Sequence, residues 1–298
     1  MPMQRGIALV QVLIISFVLS ILGLYILQST RDQITTVHTI KTAMDLRIKL
    51  EIAEAKIINT LLSEYRFQNK QSKNPIVAAW NFHNAPFQVE DVKVQLQDLN
   101  GLISLNVTDK NILNKVLEQL EVERSDRAVF IDSLTDWKDE NDLKQLNGAE
   151  RDFYEIQGKP GPRNGYLQSI AEVNYIKKSD IISRQQWQKY FTVEHTSGFN
   201  PMYSPAPILS AFIQDDTKVA KLLELRDNAQ LNENSFYKIT DIAADEFISF
   251  LSGNTLSVKL TASTAEQKVT KKFTIKLRTR SITRPVVITN VMWNIDEN

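Results

Sequence analysis

The chain has 298 residues, enough for one large or two moderate domains. Its 35 basic side chains balance 35 acidic ones, so no global field points to nucleic acid or to a strongly charged partner. The absence of cysteine excludes a disulfide framework, thiolate catalysis and Cys-bound zinc or iron–sulfur clusters, and the three histidines, His38, His83 and His195, form no His-x-x-x-His metal pair.

Behind Arg5-Gly6, the chain is mostly apolar from Ile7 to Leu27 and carries no charge until Arg31. As a helix this run covers roughly 30 Å, the thickness of a bilayer's hydrocarbon core. It exceeds the ~7–15 apolar residues of a cleavable secretory signal, and no small-residue cleavage site follows near Gln28 to Asp32. Arg5 favours a cytoplasmic amino terminus with the bulk of the chain exported. A plain signal anchor satisfies these facts. So does a second reading: the run opens directly after Gly6 and its fifth residue, Gln11, is polar, which resembles the class III leader of type IV pilin-like proteins. The resemblance implies cleavage between Gly6 and Ile7, with the helix retained first as an anchor and then as the core of a filament. Most members carry Glu at the fifth mature position. The uncharged Gln11 suits a subunit at a filament tip, or is simply a polar residue tolerated in a membrane helix.

After Arg31 the pattern becomes amphipathic. Ile34, Val37, Ile40, Met44, Ile48, Ile52, Ala55, Ile58, Leu62 and Tyr65 recur at spacings of three and four, with charges between them. No Gly or Pro interrupts from Leu24 to about Lys73, which predicts one helix of about 55–60 residues whose rear half lies on a folded domain through that stripe. Asn74-Pro75 breaks the helix. Strands are predicted at Val77 to Phe82 and at Val92 to Leu99, followed by a turn at Asp98-Leu99-Asn100-Gly101.

From about Ile103 the periodicity is helical. One amphipathic helix carries Ile112, Val116 and Leu120, and a second carries Val129, Phe130, Leu134 and Trp137 with a start near Asp126. Shorter helices are predicted at Ser169 to Tyr175, Ile182 to Tyr190, Pro207 to Ile213, Thr217 to Leu225 and Ile239 to Leu251. Strands return at Leu256 to Thr261, Gln267 to Leu277 and Val286 to Trp293. Strands on both sides of a helical block predict one sheet carrying an insertion, because isolated hairpins are marginal. The boundaries follow: 1–6 leader, 7–28 membrane helix, 29–103 first part of the sheet domain, 104–252 inserted helical block, 253–298 second part.

The densest polar cluster runs from Asp136 through Asp139, Glu140, Asn141, Asp142 and Asn147-Gly148 to Glu150 and Asp152. Such oxygens could supply the six to eight or so ligands of a hard cation such as Ca²⁺, although the register is not that of an EF-hand. A solvated acidic loop capping the next helix explains the same residues. Paired carboxylates also invite an acid–base catalyst, but no partnered His, nucleophile elbow or phosphate loop accompanies them. The stretch Phe199-Asn200-Pro201 to Leu209 distantly resembles the lead-in of a helix-hairpin-helix module, without its glycine-rich hairpin or basic cluster, and reads as packing rather than as nucleic-acid binding.

One ordered set of segments is more specific. Gly6-Ile7 with Gln11, then Gln97-Asp98-Leu99-Asn100-Gly101-Leu102-Ile103-Ser104-Leu105-Asn106, Asp136-Trp137-Lys138-Asp139, Asn147-Gly148-Ala149-Glu150-Arg151-Asp152-Phe153-Tyr154, Gly161-Pro162-Arg163-Asn164-Gly165 and Ser169-Ile170-Ala171-Glu172-Val173 together resemble the type II secretion system protein K family. The resemblance implies an α+β, type IV pilin-like fold, a long helix on an antiparallel sheet, with a large inserted all-helical domain that is SAM-like or helix-hairpin-helix-like. It implies a non-catalytic minor pseudopilin, anchored once in a bacterial inner membrane with its head in the periplasm. There it sits with the I and J minor pseudopilins at the pseudopilus tip, where it helps initiate or cap the filament. It further implies processing by prepilin peptidase at Gly6 and Ile7 with amino-methylation, contact with exoproteins or the outer-membrane secretin, no nucleic-acid partner, and structural Ca²⁺ on Asp139, Asn141, Glu150 and Asp152 with Asp136 and Asp142. Asn141 stands where many relatives have an acid. The competing readings are a minor pilin of a type IV pilus and a signal-anchored periplasmic enzyme.

Overall fold

The computed structural model describes residues 5–294 except 197 and 279, with only the backbone of residues 5–8. The first four leader residues and the side chain of Ile7 lie outside the described residues. A single helix, α1 (Arg5–Ser63, 59 residues), opens the fold. Its front is bare apolar surface that none of the described residues covers. One N-terminal helix of this length and composition fits a single-pass membrane anchor.

The rear half of α1 corrects one expectation. The residues buried against the sheet are Leu46, Leu50, Ala53, Ile57 and Leu61, spaced by three and four. The stripe from Ile34 to Tyr65 mostly faces out, with Ile40 at 55%, Met44 at 59% and Ile48 at 54% exposure, and only Ile58 of that set packs on the sheet core. Two positions along a helix turn the side chain by roughly 200°, so Ile48 and Leu50 point to opposite sides. Both stripes have helical spacing, and periodicity cannot rank them. Ion pairs frame the inward face: Lys49 with Asp91, Lys56 with Glu90, and Lys271 of the sheet with Glu51 and Glu54.

The segment expected as a strand at Val77 to Phe82 begins instead as a short helix, α2 (Pro75–Ala79). The Asn74 side chain accepts from the Ile76 N–H at 3.0 Å and Pro75 stands at the first helical position, a capped start that outweighs the β-branched content. Trp80, in extended backbone, and Phe82, at a bend, follow and are buried. Then come β1 (Phe87–Val89) and β2 (Val92–Asp98).

The chain next leaves the sheet through β3 (Ile103–Ser104), α3 (Lys110–Gln119), α4 (Arg124–Lys138), α5 (Arg151–Ile156), two 3₁₀ turns at Ile170–Tyr175 and Ser179–Ile181, α6 (Arg184–Tyr190) and β4 (Phe191–Thr192). It continues through α7 (Ala206–Ile213), α8 (Asp216–Asp227) and α9 (Glu233–Thr240). Aromatic rings tie this block together: Phe130 and Trp187 lie 4.8 Å apart between centroids, and Trp137 meets Tyr154 edge-on at 5.2 Å. In place of the helix expected over Ile239 to Leu251, α9 lies earlier, started by the Asn232 capping box and ended by Asp241 at a left-handed φ of 61°, and the two ranges share only Ile239 and Thr240. Beyond it, Asp245 Oδ1 accepts from the Phe247 and Ile248 N–H groups, so this stretch is turned rather than helical, with Ile248 and Phe250 packed on Leu222 and Phe236.

The chain then returns through β5 (Thr255–Ser263), β6 (Lys268–Leu277) and β7 (Val286–Trp293). The five-stranded sheet is antiparallel in the order β1-β2-β5-β6-β7, with Val94 opposite Leu260 and Val258 opposite Phe273. Residues near 95 and near 275 therefore share one sheet although the helical block separates them in sequence. Alternate residues of β5 are buried, and their apolar face covers the inward stripe of α1.

The crossing points are clamped by a buried carboxylate. Asp98 ends β2, and it accepts from the Asn100 N–H at 2.9 Å and from the Gly253 N–H at 2.7 Å. Burial pushes its carboxyl up to about 6, against those bonds and the pull of Arg66. A Cβ on Gly253 would lie 2.6 Å from the Asp98 carboxylate, so only glycine lets the returning chain pass. Asn106, further along the same segment, donates to the Leu167 and Val193 carbonyls and holds the start of the helical block.

Candidate functional site

The acidic cluster lies where α4 ends and α5 begins. Asp136 is fully buried near the end of α4, with Oδ1 accepting from the Gln145 N–H at 3.0 Å and Oδ2 unpaired. One residue past the helix, Asp139 is half-buried and its Oδ1 has no partner. Glu150, the residue preceding α5, is 8% exposed and neither carboxylate oxygen is paired. Buried polar oxygens are rarely left without partners. Here four of them belong to three carboxylates.

The like charges feel one another. Burial and then Asp136, Asp139 and Asp142 push the Glu150 carboxyl up to about 7. Burial and then Asp136 raise Asp139, while a hydrogen bond from Asn141 lowers it. Of the expected ligand set, Asp136, Asp139, Asp142 and Glu150 thus lie within electrostatic reach of one another, and the unpaired oxygens of Asp136, Asp139 and Glu150 mark the acidic hollow between the ends of α4 and α5. Asn141 is exposed, and its Oδ1 accepts from the Leu143 N–H in a local turn. Asp152 is exposed in the first turn of α5. Among the described residues no three carboxylates or imidazoles already converge as a ligand cluster. The donor chemistry fits: hard oxygens, unpaired and buried, with the charge they lack supplied by the ion.

Three supporting residues were not legible as parts of the site. Gly148 permits it, because a Cβ there would sit 1.9 Å from Asp136 Oδ2. The sequence placed Asn147-Gly148 in the polar cluster without showing this close approach. Asp132, one turn earlier on α4, accepts from both the Asn147 N–H and its Nδ2, at 3.1 and 2.9 Å, and pins the loop. Lys177 Nζ donates to the Asn147 and Gly148 carbonyls at 3.1 and 3.0 Å. The neighbouring segments singled out in the sequence form a scaffold beside the hollow: Glu172 accepts from the Trp137 indole at 3.0 Å, from Arg163 and from the Gln168 N–H. Burial raises Glu172, but these bonds outweigh it and hold its carboxyl below the usual value.

The second functional surface is the outer face of α1. From Ile34 to Ile52 it presents Val37, Ile40, Met44 and Ile48 as a continuous apolar row on the side away from the sheet. Water-exposed rows of this kind mark an association surface.

Residues 93–194 match the family model for the type II secretion system (T2SS), protein K. That stretch runs from β2 through the acidic hollow to the residues just after β4. A relative from Escherichia coli (strain K12), described as a putative type II secretion system protein K, is 24% identical over 191 residues. The aligned part covers 58% of each protein, so the chain spans a little over half the length of that protein K relative. Among solved structures, the GspK-GspI-GspJ complex from the enterotoxigenic Escherichia coli type 2 secretion system contains a chain similar in fold. The TM-score is 0.58 at 14% identity, over 87% of this chain and 99% of that one. The α+β arrangement of long helix, antiparallel sheet and additional helical region is thus shared with a solved protein K structure.

Proposed function

We propose that this chain is a minor pseudopilin of the protein K kind, which caps or initiates the pseudopilus of a type II secretion system and serves export across the outer membrane. The observation that carries the reading is the pair of opposed apolar faces on the rear of α1. One face holds the protein's own sheet, and the other, bare in the monomer, suits the helices of I- and J-like partners. The front of α1 anchors the subunit in the inner membrane, with the head in the periplasm, until it passes into the filament. The role is mechanical, with no catalytic step, and Gln11 suits the terminal position because no subunit stacks above it. Processing cuts between Gly6 and Ile7, leaving Ile7 as the methylated amino terminus, and exoproteins and the secretin are met by the head.

The acidic hollow is read as a structural Ca²⁺ site. Asp136, Asp139 and Glu150 would hold the ion, with Asp142, Asn141 and Asp152 drawn in from the loop and from α5. The bound ion supplies the positive charge that these carboxylates lack and ties the two helix ends together.

Mass spectrometry of the mature amino terminus, in cells with active prepilin peptidase, tests the central claim. A chain beginning at methylated Ile7 is the expected result, and an intact Gly6–Ile7 bond overturns it. Co-purification with I and J partners, weakened by Ile40→Asp, separates this role from that of a type IV pilus subunit.

A further inference from the structure

Between α3 and α7 the helical block has a small open pocket of about 170 Å³ that neither the hollow nor the anchor uses. On one side stand Ile112 and Val116 of α3, and on the other Ala211 and Phe212 of α7. Phe199 and Phe247 close the third side, with ring centroids 6.0 Å apart and planes 20° from parallel. Their backbones are joined by the Phe199 N–H to the Phe247 carbonyl at 2.7 Å, so the aromatic wall is fixed. Phe247 nevertheless remains 45% exposed at the mouth. Among the described lining residues the only charge is Lys115, which is itself exposed.

We propose that this pocket receives one large apolar side chain of a peptide segment from another protein, with an adjacent carboxylate of that segment meeting Lys115. Its volume points to a peptide anchor rather than a free metabolite, because small-molecule sites usually measure about 300–1,000 Å³ whereas this one suits a single Phe or Leu side chain. The lone cation at the rim sets the sign of the neighbouring group. This proposal does not depend on the pseudopilus reading or on calcium.

The test is fluorescence anisotropy on the full chain in detergent micelles, with labelled hexapeptides Ser-Gly-Phe-Asp-Gly-Ser and Ser-Gly-Asp-Phe-Gly-Ser as probes. Saturable binding of at least one is expected. Replacing its Phe by Ala should weaken binding by roughly tenfold or more, as loss of a buried aromatic anchor requires. Replacing its Asp by Asn should weaken it roughly two- to fivefold, the range of an exposed ion pair, and Lys115→Gln should erase that difference. Ala211→Leu fills the pocket and should abolish binding while keeping or raising the melting temperature. If that variant fails to fold, Phe247→Ala at the exposed mouth takes its place and should weaken binding. Equal binding of Phe and Ala peptides, undiminished binding to the pocket variants, or no saturable binding by either probe overturns the proposal.

Discussion

Glu150 gives the most exposed consequence of the acidic hollow. Its carboxyl is raised from 4.5 to about 7, first by burial and then by Asp136, Asp139 and Asp142. Between those values the native chain holds more protons than the unfolded one, so this group's contribution falls as pH rises from about 4.5 to about 7 and the penalty is complete above that. A shift of this size corresponds to about 3 kcal/mol at roughly 1.4 kcal/mol per pKa unit, and to about 2 kcal/mol once screening at the mouth of the hollow is allowed for. In a chain this long that moves the melting temperature by several degrees. The assay is a series of thermal melts of the full chain in detergent across that pH range, in chelator and in excess calcium. In chelator the melting temperature should fall as pH rises, and Glu150→Gln should flatten the slope. Added calcium should stabilise most at the high-pH end, where the carboxylates are free of protons and available as ligands. Identical slopes with and without calcium would refute the metal reading, and an unchanged slope in Glu150→Gln would refute the electrostatic one.

Two further outcomes separate the faces and test the loop. Leu50→Ala, at a site with no exposure against the sheet, should cost about 2–5 kcal/mol of unfolding free energy in denaturant titration. Ile48→Ala, two residues away and 54% exposed, should change stability by less than about 0.5 kcal/mol yet weaken partner co-purification. A larger loss from Ile48→Ala than from Leu50→Ala would mean that the helix is turned the other way on its sheet. Gly148→Ala places a Cβ 1.9 Å from the Asp136 carboxylate, whose other oxygen is held by the Gln145 N–H. Displacing that carboxylate should cost about 1–3 kcal/mol and remove calcium-dependent stabilisation, measured as the calcium-induced change in melting temperature.

Much of the architecture could be read from the chain alone, because local rules governed it. An uncharged run from Ile7 to Leu27, followed by an amphipathic stretch with no Gly or Pro from Leu24 to Lys73, specifies a long helix whose front fits a membrane anchor. The alternation of Val92, Val94 and Leu96, and of Leu256, Val258 and Leu260, specifies strands with one buried face. Their separation by a helical stretch implies an insertion. The errors arose where two local rules competed. At Val77 the Asn74-Pro75 start overrode strand propensity, and the caps at Asn232 and Asp241 placed a helix ahead of the apolar spacing that begins at Ile239.

What only the tertiary structure decided is which surfaces meet. Leu46, Leu50, Ala53, Ile57 and Leu61 have the same helical periodicity as the outer row, so the packing of the sheet, and not the pattern, chose the inward face. The acidic residues were countable in the sequence, but burial is a property of the whole fold. It left Asp136 Oδ2, Asp139 Oδ1 and both Glu150 oxygens unpaired near the ends of α4 and α5 while turning Asn141 and Asp152 to water. Sequence spacing records which groups are available. Chain crossings set which of them lose their water, and a carboxylate that loses its water is driven toward protonation or toward a positive partner.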